Sequence, residues 1–234
     1  MDIKLLLGDA KVLIKNIPDN SIDLVFIDPP YDQNLYMDRL TDMEKKFFVK
    51  QFKRVLKRTG NLAICCGFWG KFTWYNLATE EGFKLKREII WVYKNLGNKL
   101  TQRRTFLAAH ETILWFIKSK DYYFNEEGLV ERDWIETPRL SGILRIKGLE
   151  KLPTEKLNIT PKPLKLARII IKRLCPENGT VLDCFAGTGT FAIPCIEQRK
   201  NFIGFEINEK IFKIAEERIS KFYPKTKISD FYKR

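Results

Sequence analysis

The apolar run Ile22-Asp23-Leu24-Val25-Phe26-Ile27 leads directly into Asp28-Pro29-Pro30-Tyr31, and this stretch decides how the chain is to be read. Six residues dominated by β-branched and aromatic types predict a buried strand over Ile22–Ile27. Neither proline continues regular structure, because each lacks an N–H and has its φ fixed by the ring. The strand therefore ends in a carboxylate, then a stiff two-proline segment, then an aromatic ring. An acceptor and a flat ring held at the mouth of a sheet suit a planar group with an exocyclic amine, as a nucleobase has. Taken alone, the same four residues would also make a plain strand-ending turn.

A second constellation lies far along the chain. Residues 181–185 (Val-Leu-Asp-Cys-Phe) predict a strand, Ala186-Gly187-Thr188-Gly189 a turn, and residues 190–198 a helix. Glycines allow close backbone approach, and a helix start offers unpaired N–H groups. The next strand, residues 202–205, ends in Glu206, where a carboxylate of a βαβ unit accepts hydrogen bonds from the two hydroxyls of an adenosine ribose. Ala192 stands where a dinucleotide fingerprint has its third glycine, so a pyrophosphate is not favoured. A nucleoside site beside a base-holding site is the layout of a group-transfer enzyme.

Elsewhere, strand and helix patterns alternate, which predicts an α/β fold with a mostly parallel sheet and helices on both faces. Ile3–Leu7 reads as a strand closed by Gly8-Asp9, and residues 10–16 as a helix. Thr41 and Glu44 form a capping box for a helix with Phe48, Phe52, Val55 and Leu56 on one face and Gly60 at its end. Residues 62–66 read as a strand and 68–81 as an aromatic-rich helix. Residues 88–93 and 112–117 look like antiparallel strands around a basic, amide-rich loop, 95–109, that carries Lys99, Arg103 and Arg104. Residues 119–157 read as an excursion embedded in a single domain of 1–234, with Trp134, Ile135, Leu140, Ile143 and Leu144 to bury. A helix through Leu166, Ile169, Ile170 and Leu174 follows Pro163. Asn208 caps a last helix with Ile211, Ile214, Ala215 and Ile219 inward.

The bulk properties narrow the class. With 234 residues, 44% hydrophobic and 30% charged, the chain can bury a full core. No apolar run approaches the roughly 18 residues of a membrane span, and the first residues lack a leader pattern, so a cytoplasmic protein is expected. The net charge of +13 fits either a plain basic protein or a polyanionic partner, and charge alone does not decide between them. The five cysteines form no C-x-x-C pair and read as reduced core residues; the single histidine, His110, reads as structural. No metal site is expected.

These motifs together resemble the DNA amino-methyltransferases in the permuted, beta order, where D-P-P-Y precedes F-x-G-x-G. The resemblance spans nearly the whole chain: Gly8-Asp9, Asp28 to Tyr31, Arg87 to Lys94, Asn158 to Leu166, Asp183 to Thr190 and Phe202 to Asn208 follow the family's order. It implies a Rossmann-like methyltransferase fold and S-adenosylmethionine as cofactor. It places Asp28, Pro29, Pro30 and Tyr31 in catalysis. Phe185, Gly187 and Gly189 would wrap the cofactor's methionine part with Asp183 near its amino group, Ala186, Thr188 and Thr190 would belong to the same cofactor-binding segment, Glu206 would bind the ribose, and Asp9 with Ala10 the adenine. Lys162 would meet the cofactor carboxylate, in a segment where Asn158, Ile159 and Pro161 depart from the family's H-P-T-Q-K-P-L, as Cys184 departs from its Pro.

The implied activity is methylation of N6 of a flipped adenine in double-stranded DNA, since an aspartate opening the motif leans toward adenine in this family. Residues 119–157 would recognise the target, and Lys99, Arg103 and Arg104 would contact DNA. N4-cytosine methylation, RNA amino-methylation and a non-catalytic nucleic-acid-binding module are the alternatives. Homodimerisation and a cognate restriction endonuclease are left open.

Overall fold

The computed structural model describes residues 1–32, 37–93, 108–128, 132–138 and 161–222. The chain opens with β1 (Ile3–Leu7), α1 (Ala10–Leu13) with a 3₁₀ turn over Ile14–Asn16, and β2 (Ile22–Ile27). The short pair β3 (Tyr31–Asp32) and β4 (Met37–Asp38) precedes α2 (Asp42–Val55), β5 (Leu56–Cys66) and α3 (Gly70–Glu80). Then come β6 (Lys84–Val92), β7 (His110–Ile117) and β8 (Trp134–Glu136). The last part holds α4 (Leu164–Leu174), β9 (Thr180–Asp183), α5 (Ala192–Glu197), β10 (Asn201–Glu206) and α6 (Glu209–Phe222).

Eight strands form one sheet in the order β1-β10-β9-β2-β5-β7-β6-β8. The first five are mutually parallel; β7 runs antiparallel to both β5 and β6, and β8 adds parallel to β6. All six residues of β2 are buried, as a central parallel strand covered on both faces requires. Its side chains alternate between two cores. Leu24 and Phe26 share one with Leu166 and Ile170 of α4 and Ala215 and Ile219 of α6, where the rings of Phe26 and Phe191 stack at 3.9 Å. Val25 and Ile27 share the other with Phe48 and Phe52 of α2 and Trp74 of α3. The expected sheet with helices on both faces is therefore present.

Several boundaries differ from expectation. The capping box of α2 is formed: Thr41 Oγ1 accepts from the Glu44 N–H at 3.2 Å, and Glu44 Oε2 accepts from the Thr41 N–H at 3.0 Å. The helix, however, stops at Val55, and Leu56 already belongs to β5. Gly60 is a strand residue rather than a helix end. A Cβ there would lie 2.8 Å from Leu56 Cδ2 and 3.0 Å from the Lys57 carbonyl oxygen, so the glycine answers to crowding. Helix α5 starts at Ala192, two residues later than the pattern suggests. In α6 the buried face is Phe212, Ala215, Arg218 and Ile219, while Ile211 and Ile214 are half-buried.

In the excursion Ile135 is buried, but Trp134 is 42% exposed, since consecutive strand residues face opposite ways. Within its described part, β8 extends the sheet edge, and Tyr122 and Phe124 pack on Trp115. The five cysteines are buried free thiols, Trp91 and Trp115 are sheet core, and His110 is exposed at the start of β7. Leu140, Ile143, Leu144, Lys99, Arg103 and Arg104 lie outside the described residues. Among those described, no helix is long and apolar enough to cross a membrane.

Gly60→Ala tests the crowding at β5. It should lower the free energy of unfolding by about 1–3 kcal/mol, the usual cost of overpacking, while the denaturant m-value stays constant. An unchanged midpoint in urea would show that the strand yields there.

Candidate active site

The strand order reverses direction between β9 and β2: from β2 the chain builds outward toward β8, and from β9 outward toward β1. At such a switch point the loops leaving the two strands part, and a crevice opens at their carboxyl ends. Asp28 follows β2 and Asp183 closes β9, so the two sequence motifs arrive at one cavity of about 540 Å³, well within the size of small-molecule sites. Asp9, Ala10, Pro30, Phe185 and Glu206 also line it.

The glycine turn is built from the backbone. The Asp183 carboxylate accepts from the Phe185 N–H at 2.9 Å, the Ala186 N–H reaches the Phe205 carbonyl at 2.8 Å, and the Gly187 N–H donates to Glu206 Oε2 at 3.0 Å. Gly187 has φ +52° and Gly189 φ +73°, a region that disfavours other residues. Thr188 and Thr190 border the cavity, but Gly189 does not; a Cβ on it would meet Ile219 Cδ1 of α6 at 2.9 Å. Packing against α6 therefore calls for glycine there, as its positive φ also does.

Arg218, fully buried on α6, braces the turn. Its Nη1 donates to the Thr188 carbonyl at 3.2 Å and to the hydroxyls of Thr188 and Thr190, each at 3.1 Å. An arginine on an otherwise apolar helix stripe was the available signal for it. Asp9 is the N-cap of α1, accepting from the Lys11 N–H at 2.7 Å, while Ala10 is buried beside the cavity.

The D-P-P-Y segment is held from one side by Arg39, whose N–H donates to the Pro30 carbonyl at 2.9 Å. Pro29 is buried and Pro30 exposed. The backbone of Tyr31 pairs with Asp38; only the backbone of that residue is described. Lys162 departs from expectation. Bracketed by Pro161 and Pro163, it is 3% exposed and places its ammonium 2.7 and 2.8 Å from the two Asp28 oxygens and 3.3 Å from Glu111 Oε2. The ion pair with Asp28 and the nearby carboxylate of Glu111 on β7 were not brought forward by the motifs, and Lys162 also lines the cavity.

Burial pushes all three site acids upward. For Asp28 the rise is opposed by Lys162 and reinforced by Glu111. Asp183 stands well above the usual carboxylate range, with the Phe185 N–H opposing and the charges of Asp28 and Glu206 adding. Glu206 rises less freely, because the N–H groups of Asn208, Gly187 and Ile207 favour its anion. The site thus combines buried acceptors, a backbone turn open to close approach and an apolar wall, a combination that fits a nucleoside with a cationic tail. Among the described residues, no group of His, Cys, Asp and Glu gathers as a metal site requires.

The fold and this site define a Rossmann-like methyltransferase. Residues 22–217 match the N6/N4 methyltransferase family, described as DNA methylase, and the chain belongs to it. It is 30% identical to the DNA adenine methyltransferase YhdJ of Escherichia coli, over 91% of this chain and 81% of that one. It is 29% identical to the type II methyltransferase M.HinfI of Haemophilus influenzae, over 94% and 69%. Among solved structures, the M1.HpyAVI–SAM complex superposes with a TM-score of 0.72 at 27% identity, covering 93% of this chain and 98% of that one. The cytosine-N4-specific PvuII methyltransferase shares the fold at a TM-score of 0.74 and 18% identity, over 96% and 92%.

The raised Asp183 acid has a consequence for stability. Between the usual aspartate range and its raised value the folded protein holds a proton that the unfolded chain has lost, so stability falls as pH rises through that window. Asp183→Asn keeps an oxygen for the Phe185 N–H and removes the titration. The variant should melt above the parent at neutral pH, with the gap closing on acidification; an equal or lower melting temperature at neutral pH would contradict it.

Proposed function

We propose that this DNA methylase moves a methyl group from S-adenosylmethionine to N6 of an adenine flipped out of duplex DNA. The observation that carries the proposal is the single cavity shared by Asp28 with Asp183 and Glu206. When bound, the cofactor supplies an electrophilic methyl on a sulfonium. Asp183 would take its ammonium, Glu206 its ribose hydroxyls, and Asp9 with Ala10 would flank its adenine. Phe185 and the Gly187–Thr188 turn would enclose the methionine part. Lys162, which pairs with Asp28 and lines the same cavity, would lie near the cofactor carboxylate.

Asp28 and the Pro29 carbonyl would each accept one hydrogen of the target amine. The lone pair of that amine is delocalised into the ring, and two acceptors favour the pyramidal nitrogen that can attack. Two prolines fix the second acceptor in place, so little ordering is left for the reaction. Tyr31 would stack on the extruded base and recover part of the few kcal/mol that unstacking costs. The +13 charge supports a polyanionic substrate, with Lys99, Arg103 and Arg104 as phosphate contacts and residues 119–157 as reader of the target sequence. YhdJ's adenine specificity and the Asp that opens the motif support adenine over cytosine.

Asp28→Ala should lower turnover by about 10²–10³-fold or more, as loss of an aimed acceptor does, with S-adenosylmethionine binding kept in calorimetry. Loss of both together would mean that the site is misplaced. The nucleoside product from methylated duplex should be N6-methyladenine; N4-methylcytosine would transfer the assignment to the PvuII-like specificity.

A further inference from the structure

We propose that Phe68, Trp69, Phe72 and Tyr75 form a stacking surface for bases of the DNA substrate, beside the nucleotide that is flipped toward Asp28. The inference goes beyond the methyl transfer itself but rests on that placement of the target base.

The four rings come from the outer face of α3 and the two residues before it. Trp74 and Ala78 face inward and are fully buried, so positions 68, 69, 72 and 75 point away from the core at helical spacing. Each of the four is between 43% and 60% exposed. Apolar side chains gathered in this way mark an interaction site, since water disfavours a contiguous patch. The patch is also held in shape. The Phe68 ring meets Trp69 edge-on at 5.0 Å and Phe72 at 5.9 Å. The Lys71 ammonium lies 5.7 Å from the centre of the Phe68 ring and 5.5 Å from that of Phe72, within cation–π reach. Glu88 of β6 pairs with this ammonium at 3.1 Å and accepts from Thr112 Oγ1 of β7 at 3.1 Å. The rings are thus tied to the sheet before any partner arrives, which lowers the ordering that binding requires.

The register of the sheet fixes where the patch lies. Strand β5 runs parallel to β2 with Ile64 beside Ile27, so Cys65 comes level with Asp28. Burial and the Asp28 charge both raise the Cys65 thiol, as that proximity requires. Phe68 follows Cys65 by three residues. Strand β6 ends and β7 begins at the same edge, so the chain that carries Lys99, Arg103 and Arg104 leaves from it and returns to it. A duplex that delivers a base to Asp28 must lie over these strand ends. Extrusion deprives the neighbouring bases of a stacking partner, and aromatic side chains stack on bases of any sequence. All four members of the patch are aromatic, and the net charge of +13 favours a polyanion as the occupant of this edge.

Duplex binding and tryptophan emission test the surface. Trp69→Ala should weaken the affinity for a duplex that the parent methylates by about fivefold to a hundredfold, and Phe68→Ala with Trp69→Ala by more. Kd for S-adenosylmethionine and the melting temperature should stay at the parent's values, since both side chains are more than half exposed. The slope of log Kd against log salt concentration should also stay, because no phosphate contact is removed. Trp69→Phe should keep most of the affinity. In the unaltered enzyme the Trp69 emission, taken as the difference from Trp69→Phe, should be quenched when the duplex is added; this readout stands even where an alanine variant does not fold. Unchanged duplex affinity in the double variant overturns the proposal and is the result that a docking face for another protein would give. A loss accompanied by a shallower salt slope, or an unquenched Trp69, overturns it equally. An active Asp28→Ala enzyme would instead sink the placement of the target base, whatever the Trp69 variants show.

Discussion

The pairing of β2 with β9, Leu24 against Val181 and Val25 against Leu182, is the contact on which the site depends. It joins the two halves of the chain into one parallel sheet and makes their strand ends diverge over the same crevice. At the opposite end of this seam the buried Asp23 accepts from the Thr180 N–H at 2.8 Å and from Lys57 Nζ at 2.9 Å to both oxygens. An acid inside an apolar strand is costly to bury unless it is bonded. Here it ties β9 and the start of β5 to β2 and so fixes the register of the seam. A slip of one residue would turn every side chain of the strand to the other face.

The crevice is assembled from groups that resist burial. Asp28, Asp183 and Glu206 all have their acids raised by the loss of water, and each is only partly compensated, by Lys162 or by backbone N–H groups. Such sites cost stability and are held by surroundings that leave them no alternative. Two devices do this. The prolines around Lys162 and at positions 29 and 30 remove backbone freedom, and buried Arg218 binds the 188–190 turn to α6 through three hydrogen bonds. The apolar layers on each face, with Phe26 stacked on Phe191 directly beneath the crevice, supply the stability that these charges draw down.

Much of this was legible from residues taken in order. Strand β2 has the predicted bounds because a continuous apolar run closed by two prolines admits no other local structure. The capping box at Thr41 and Glu44 and the Asn208 cap, which accepts from the Lys210 N–H at 3.0 Å, are local hydrogen-bond patterns written in a few adjacent residues. Where neighbours distant in sequence compete, local reading failed. Gly60 looked like a helix terminator, but crowding from Leu56 and Lys57 within β5 accounts for it. The apolar residues of α6 suggest one face, whereas Phe212 and Arg218 are buried with Ala215 and Ile219, and Ile211 and Ile214 are half-buried.

The sequence by itself determined the class of fold, the two acid-bearing strand ends and the glycine turn, since each is written in contiguous residues whose backbone options are few. Tertiary structure alone decided which charges meet. Lys162 and Glu111 come from segments that no periodicity links to Asp28, and a charge finds its partner through the register of strands and the path of a loop. Electrostatic pairing over 3 Å depends on that three-dimensional placement, and so the lysine expected to await a ligand is found holding the carboxylate.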